Sequence, residues 1–193
     1  MITEELSQLS HKNVAYKKGE VIYSPGQQPR FVYFISKGQV RMVTVNGDGK
    51  EFIQGIFKKN QYFGEPAMLL SKPYLAYTIA TEDTSLILLE REQFLSLLEN
   101  NREFSVEVIT TLSKRLFYKS MMLEELANEH ADHRLRTLIT YLCKELKPDE
   151  VLPVTRQALA DMSGLRVETV IRLIKKMSET GEIKLLRGKI VKQ

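Results

Sequence analysis

The chain holds one cysteine and three histidines among its 193 residues. A lone thiol, Cys143, excludes an intramolecular disulfide and any all-cysteine metal or iron–sulfur cluster. The histidines are His11, His130 and His133, so residues 13–90 contain none. That absence argues against a metal-dependent enzyme on a cupin-like barrel, which needs histidines and carboxylates clustered on its strands. His130 and His133 stand three apart, yet two ligands are too few for a metal site. No nucleophile is visibly matched to a base, and we expect no enzyme, no metal and no cofactor. Apolar runs break within a few residues, too short to span a bilayer. The opening Met1-Ile2-Thr3-Glu4-Glu5 has no basic region followed by an apolar core, so no secretory signal is expected. These absences point to the cytoplasm and to no membrane contact.

What is present is globular. Hydrophobic residues make up 43% and charged residues 27%, a balance that can bury a core. The length suits one or two domains. Net charge is +4, and its distribution is more informative than its size. Residues 131–193 carry 13 basic and 8 acidic side chains, while residues 1–100 balance at 11 of each. The basic excess lies at one end, as a phosphate-binding surface requires.

That end reads as two short helices joined by a Gly turn. Thr155 stands at an N-cap position, followed by apolar Leu159 and Met162. Gly164 falls where the turn needs a residue tolerant of positive φ. In the second helix Val167, Val170, Leu173, Ile174 and Met177 recur at helical spacing and are expected to be buried. The helix displays Arg166, Glu168, Thr169, Arg172 and Lys175. Glu168, Arg172 and Lys175 share one side. Charge on a solvated helix face is ordinary, and two helices around a glycine can be a structural hairpin. Arg and Glu beside a Gly turn nonetheless match the base-edge chemistry of a helix-turn-helix on duplex DNA. Residues 181–191 read as a small hairpin, a wing whose Arg187 and Lys189 would meet phosphates.

Upstream, a short helix is expected over residues 2–10. Residues 13–90 read as strands and turns, with Ser24-Pro25-Gly26 as one turn and Asn46-Gly47-Asp48-Gly49 as a hairpin. Many short strands with close turns predict a β-barrel or jelly roll. Glu90-Arg91-Glu92 opens a helical region. Ser105, Ile109, Leu112, Leu116, Lys119, Leu123, Leu126 and His130 then follow a 4-3-4-3 spacing, a heptad seam. Val108 and Met122 lie on a second apolar stripe, which suits burial on the chain's own domain while the seam faces another copy. The alternative is one helix packed wholly on its own domain. A further helix is expected over 132–146, with Cys143 as a packed thiol among Leu135, Leu138, Ile139, Leu142 and Leu146. The predicted fold class is α+β: a sensing β-barrel over 1–100, a dimerisation helix over 101–130 and a winged helix-turn-helix over 131–193.

This order of parts resembles the Crp/Fnr family of bacterial transcription regulators, over essentially the whole chain. Lys18-Gly19-Glu20-Val21-Ile22 with Pro25-Gly26, then Phe34-Ile35 with Lys37-Gly38-Gln39-Val40, is similar to the opening of the family's sensor barrel. Tyr62-Phe63-Gly64-Glu65 resembles the start of its phosphate-binding cassette. Gly164-Leu165-Arg166-Val167-Glu168-Thr169-Val170-Ile171-Arg172 is nearer the Fnr branch than the cyclic-AMP receptor branch. The resemblance implies that Glu168 and Arg172 read a G·C pair in each half-site. Guanidinium can donate to guanine O6 and N7, and carboxylate can accept from cytosine N4. Val167 replaces an arginine that reads an outer guanine in the cyclic-AMP receptor branch, which implies a TTGA-like rather than a GTGA-like half-site. Ile171 replaces a serine of the Fnr branch, which leaves the outermost base open. Thr155 and Arg156 match positions near phosphates, or are a helix cap and a solvated charge.

The sensor end departs from the family pattern. Cyclic-nucleotide binders of the family carry an Arg-Ser pair ten residues beyond the Glu, where this chain has Leu75-Ala76. A cyclic phosphate without that cation would be a buried unpaired anion, so cyclic AMP is not expected as effector. Tyr74 and Tyr77 flank the site and supply no cation. Glu65 meets an effector hydroxyl or serves as a cap or turn residue. Lys119 and Ser120 fall where the family's helix closes over its ligand. Lys119 recognises an anionic effector or fixes the register of the dimer. The expected partners are double-stranded DNA, a second copy of the chain, an unidentified small-molecule effector acting on a hinge near 129–133, and, for the activator the resemblance implies, RNA polymerase. The alternative is a ligand-binding module whose tail docks on a protein rather than on DNA.

Overall fold

The computed structural model describes residues 12–127, 130–144 and 146–192. The helix expected over 2–10, His11 and Glu129 lie outside the described residues. The chain divides into two compact units, Met1–Ser113 and Lys114–Gln193.

Among the described residues the first unit contains eight strands: β1 (Lys12–Tyr16), β2 (Val21–Tyr23), β3 (Phe31–Lys37), β4 (Gln39–Val45), β5 (Glu51–Lys58), β6 (Tyr62–Phe63), β7 (Tyr77–Ala80) and β8 (Thr84–Glu90). They pair into two antiparallel four-stranded sheets, ordered β1-β8-β3-β6 and β2-β7-β4-β5. Among the described residues no ladder joins the two sheets, so the barrel is a jelly-roll sandwich rather than a closed cylinder. Strand β3 shows why its sequence is apolar almost throughout. Tyr33 and Ile35 point into the space between the sheets, with Tyr23, Val40, Phe63, Tyr74, Leu86 and Leu88. Val32 and Phe34 point the other way, onto Met68, Leu89, Phe94, Phe104 and Val108. A strand covered on both faces has no polar side.

Three helices supply that second cover: α1 (Glu65–Leu70), α2 (Arg91–Asn100) and the start of α3 (Arg102–Ala127). Helix α2 opens where Gln93 Oε1 accepts from the Glu90 backbone amide at 2.9 Å. Asn101 separates α2 from α3, and its Oδ1 accepts from Phe104 N at 2.9 Å, an N-cap. Between β4 and β5, Asn46 Oδ1 accepts from the amides of Asp48 and Lys50, closing the expected hairpin turn.

The second unit takes the remainder of α3, then α4 (Ala131–Cys143), α5 (Arg156–Ser163), α6 (Val167–Glu179), β9 (Lys184–Leu186) and β10 (Lys189–Val191). Its buried residues come from every helix: Met122, Leu135, Leu138, Ile139, Leu159, Met162, Val170, Leu173, Ile174 and Met177. Helix α4 stops at Cys143, short of the expected 146: the amides of Lys144 and Leu146 turn to carbonyls three residues back, and Lys192 Nζ donates to the carbonyls of Lys144 and Leu146. Cys143 is half-buried, and burial pushes its thiol above the ordinary value.

One buried charge stands out in this unit. Glu125 is only 6% exposed. His133 Nδ1 lies 2.7 Å from one of its oxygens, and Thr137 Oγ1 donates to the other at 2.9 Å. Burial works to raise the Glu125 carboxyl, but the hydrogen bonds from His133 and Thr137 outweigh it and hold it below the ordinary 4.5.

Two predictions follow from this architecture. Gly38 sits at φ +91 between β3 and β4, and a Cβ there would lie 2.5 Å from Thr84 Oγ1 and 2.7 Å from Asp83 O. Gly38→Ala should therefore cost about 2 kcal/mol or more, a melting-temperature loss of roughly 8 °C or more for a unit of this size. An unchanged melting curve would contradict the turn. The depressed carboxyl of Glu125 stabilises the fold above the ordinary glutamate range, and that contribution is lost as pH falls through its lowered folded value. Wild type should melt above Glu125→Gln at neutral pH, and the gap should close in acid below 4.5. A gap that stays constant with pH would show that the carboxylate charge contributes nothing.

Candidate nucleic-acid interface

The helix-turn-helix is built as its residues require. Thr155 is the N-cap of α5, with Oγ1 accepting from Ala158 N at 3.0 Å, so its side chain is engaged as a cap. Helix α5 ends at Gly164, φ 70, in the left-handed region that a β-branched or bulky residue resists. Its amide returns to Ala160 O, which closes the turn before the second helix.

Helix α6 has the division of faces that its spacing implies. Val170, Leu173, Ile174 and Met177 are buried, while Glu168, Arg172, Lys175 and Lys176 are exposed. Val167 is half-buried rather than buried, so it is partly available at the surface. Arg166 is the N-cap residue rather than part of the helix, and its side chain is exposed. Thr169 is half-buried. Glu168 in the first turn is favoured by the positive end of the helix dipole. Lys175 lies 3.9 Å from Glu179, an exposed pair that leaves its ammonium free to exchange partners. Ile171, which the charge pattern passes over, is 52% exposed between Glu168 and Arg172.

The wing is the two-stranded sheet of β9 and β10. Arg187 occupies its turn at φ 47 and is exposed, as is Lys189. Arg156 is not a loose charge. Its Nη2 donates to Gly188 O at 2.6 Å, so the first turn of α5 holds the tip of the wing. Arg136 performs a similar task from α4, pairing with Glu182 at 2.6 Å and Asp132 at 3.5 Å. The hydrogen bonds and ion pairs of Glu125, Arg136 and Thr137 were not legible in the sequence, since each only looks like a polar position on a helix.

The sensing residues fall into two groups. In the first unit Glu65 is fully buried at the start of α1, directly after Gly64. Leu75 is 83% exposed, whereas Ala76 is buried. Tyr74, the residue before them, belongs to an aromatic cluster in the interior between the sheets. The Tyr74 ring lies 3.6 Å from that of Tyr23, nearly parallel, and Tyr33 stacks on Phe63 at 5.0 Å. Tyr74 Oη donates to Phe31 O at 3.4 Å. Burial, then the neighbouring Tyr33 and Tyr23 and the Glu65 charge, pushes its phenol far above the ordinary range. Tyr74 is thus a buried part of the core, and only Tyr77 of the expected flanking pair is partly open. Lys119 and Ser120 belong to the second unit's part of α3. Desolvation and then the Arg115 charge hold the Lys119 ammonium below the usual lysine value.

Along α3 the two expected stripes separate. Phe104, Val108 and Met122 are buried. Ile109, Leu116 and Leu123, seven residues apart, are 63%, 67% and 69% exposed. Leu112 is half-buried against the first unit's core instead. Leu126 is 41% exposed, with its Cδ2 3.7 Å from where a Cβ on Gly164 would lie.

Comparison with known proteins agrees with this geometry. Residues 13–101 match the cyclic nucleotide-binding domain, and residues 133–192 match the Crp-like helix-turn-helix domain. The chain is similar to the global nitrogen regulator of Nostoc sp., 28% identical over 183 residues, covering 91% of this chain and 82% of that protein. It is also similar to the cyclic AMP receptor protein of Thermus thermophilus, 27% identical over 176 residues, covering 91% and 81%. The fold matches that of FixK2 from Bradyrhizobium japonicum with a TM-score of 0.78 at 23% identity, covering 96% of this chain and 93% of that one. With both domains matched in order and a helix-turn-helix that presents charge on one face, the chain belongs to the Crp/Fnr family of DNA-binding transcription regulators.

Proposed function

We propose that the chain acts as a homodimer on a palindromic TTGA-like site, as a cytoplasmic activator whose effector is not cyclic AMP. The observation that carries the reading is the outward face of α6. Val170, Leu173, Ile174 and Met177 are consumed by the core, so Glu168, Arg172 and Lys175 are held outward. In the major groove Arg172 would donate to guanine and Glu168 would accept from cytosine. Val167, half-buried beside them, has methyl groups suited to a thymine methyl and no donor for guanine. Arg166, Thr169 and Lys175 would frame these contacts, with Arg187 and Lys189 of the wing on phosphates. Thr155 and Arg156 would act indirectly, by holding the first helix and the wing.

Dimerisation is supported by the exposed Ile109, Leu116 and Leu123. A stripe of large apolar residues at heptad spacing loses its contact with water most readily against a copy of itself. Two copies would then present recognition helices ~34 Å apart, one turn of the duplex. The cyclic-AMP argument rests on Leu75, an exposed apolar side chain where a phosphate-binding cation would be needed, and on the aromatic stack next to it. An unidentified small molecule meeting Glu65 would bias the hinge instead, by binding one of its states better than the other. Contact with RNA polymerase would follow from activation.

Fluorescence anisotropy on a palindromic TTGA-type duplex tests the reading, with a scrambled duplex and added cyclic AMP as controls. The expected result is salt-steep, sequence-dependent binding that cyclic AMP leaves unchanged. Arg172→Ala should weaken it by roughly 1–3 kcal/mol per half-site and relax base choice at the contacted pair. Unaltered specificity in that variant would remove α6 as the reading helix. Binding that strengthens at least tenfold with cyclic AMP would overturn the sensor argument.

A further inference from the structure

The end of α3 meets the helix-turn-helix through one side chain that touches two helices at once. Arg134, half-buried in the first turns of α4, donates from Nε to Glu125 O at 3.0 Å and from Nη1 to Ser163 O at 3.2 Å. Both acceptors are at helix C-termini. Glu125 precedes the described end of α3 at Ala127 by two residues, and Ser163 is the last residue of α5. The final carbonyls of a helix have no partner within it, and they carry the negative end of its dipole. A planar guanidinium is suited to such a place, because its donors are fixed in a fork and its charge is permanent.

The same end of α3 is held twice more. The Glu125 carboxylate is buried, with His133 on one oxygen and Thr137 on the other, both from α4. Leu126 packs beside Gly164, the turn residue. The recognition helix begins three residues after that glycine, at Val167. The α5 side of the turn is therefore tied to the end of α3 by hydrogen bonds and not by the covalent linker alone.

We propose that Arg134 is a positioning residue for DNA recognition: by joining the ends of α3 and α5, with Glu125 and Thr137 in support, it fixes the angle at which α6 leaves the long helix. The proposal rests on the reading of the chain as a dimer on paired half-sites. In such a dimer the angle sets the separation of the two recognition helices, and so the spacing of half-sites that both can reach together. A single half-site asks nothing of that angle.

The test is a spacing profile. Wild type, Arg134→Gln, Arg134→Lys and Thr137→Val are titrated against a single half-site and against palindromes whose half-site separation changes by one base pair at a time. Wild type should prefer one separation by about tenfold or more, equal to ~1.4 kcal/mol. Arg134→Gln should keep its single half-site affinity and lose most of that preference. Arg134→Lys should fall between them, since one ammonium does not hold both carbonyls in a fixed fork. Thr137→Val, which leaves both arginine bonds intact, should flatten the profile less than Arg134→Gln. A wild-type preference that Arg134→Gln retains would overturn the clamp and leave the dimer reading standing. So would equal losses on single and paired sites in both Arg134→Gln and Thr137→Val, which would mark the network as structural only. A wild type indifferent to separation would defeat the dimer reading and the clamp together.

Discussion

The burial of one face of α6 is the constraint on which the rest depends. Val170, Leu173, Ile174 and Met177 are withdrawn from water, and fully burying such side chains is worth about 1.5–3 kcal/mol each. The helix has no freedom to rotate without exposing them. Rotation would also carry Glu168 and Arg172, which share one face, together away from the outward side. Packing thus decides which side of the helix the solvent meets.

The long helix α3 applies the same principle twice. Its first turns give Phe104 and Val108 to the core of the sandwich, and later Met122 is buried in the second unit. Ile109, Leu116 and Leu123, at seven-residue intervals along the same helix, remain exposed. Its far end carries the buried carboxylate of Glu125, whose charge is tolerated because hydrogen bonds surround it. In the sandwich of the first unit the interior between the sheets is filled by aromatic rings, with Tyr74 stacked on Tyr23 and Tyr33 on Phe63.

Much of this was legible in the sequence because period and turn chemistry are local. The Thr155 cap, the Gly164 turn, the apolar repeat of α6 and the Asn46 hairpin each depend on a few adjacent residues. The seam on α3 was legible as a repeat, but Leu112 is drawn into the core of its own unit, and spacing alone does not reveal such a contact. Tyr74 read as a residue flanking an effector site and is part of the core: its ring stacks on Tyr23 of β2 and its backbone pairs with Gly26 and Gln27, some fifty residues away in the chain. The Arg134 and Glu125 network was invisible for the same reason. Its bonds join residues 9, 12 and 29 positions apart across three helices, and no short motif marks them.

The most direct test of the central claim is selection of bound duplexes from a random library by the purified chain. The account predicts a two-fold symmetric consensus of TTGA-like half-sites with centres one helical turn apart. Recovery of a GTGA-like or asymmetric consensus, or no enrichment at all, would contradict the assignment of Val167, Glu168 and Arg172 as the residues that read the base pairs.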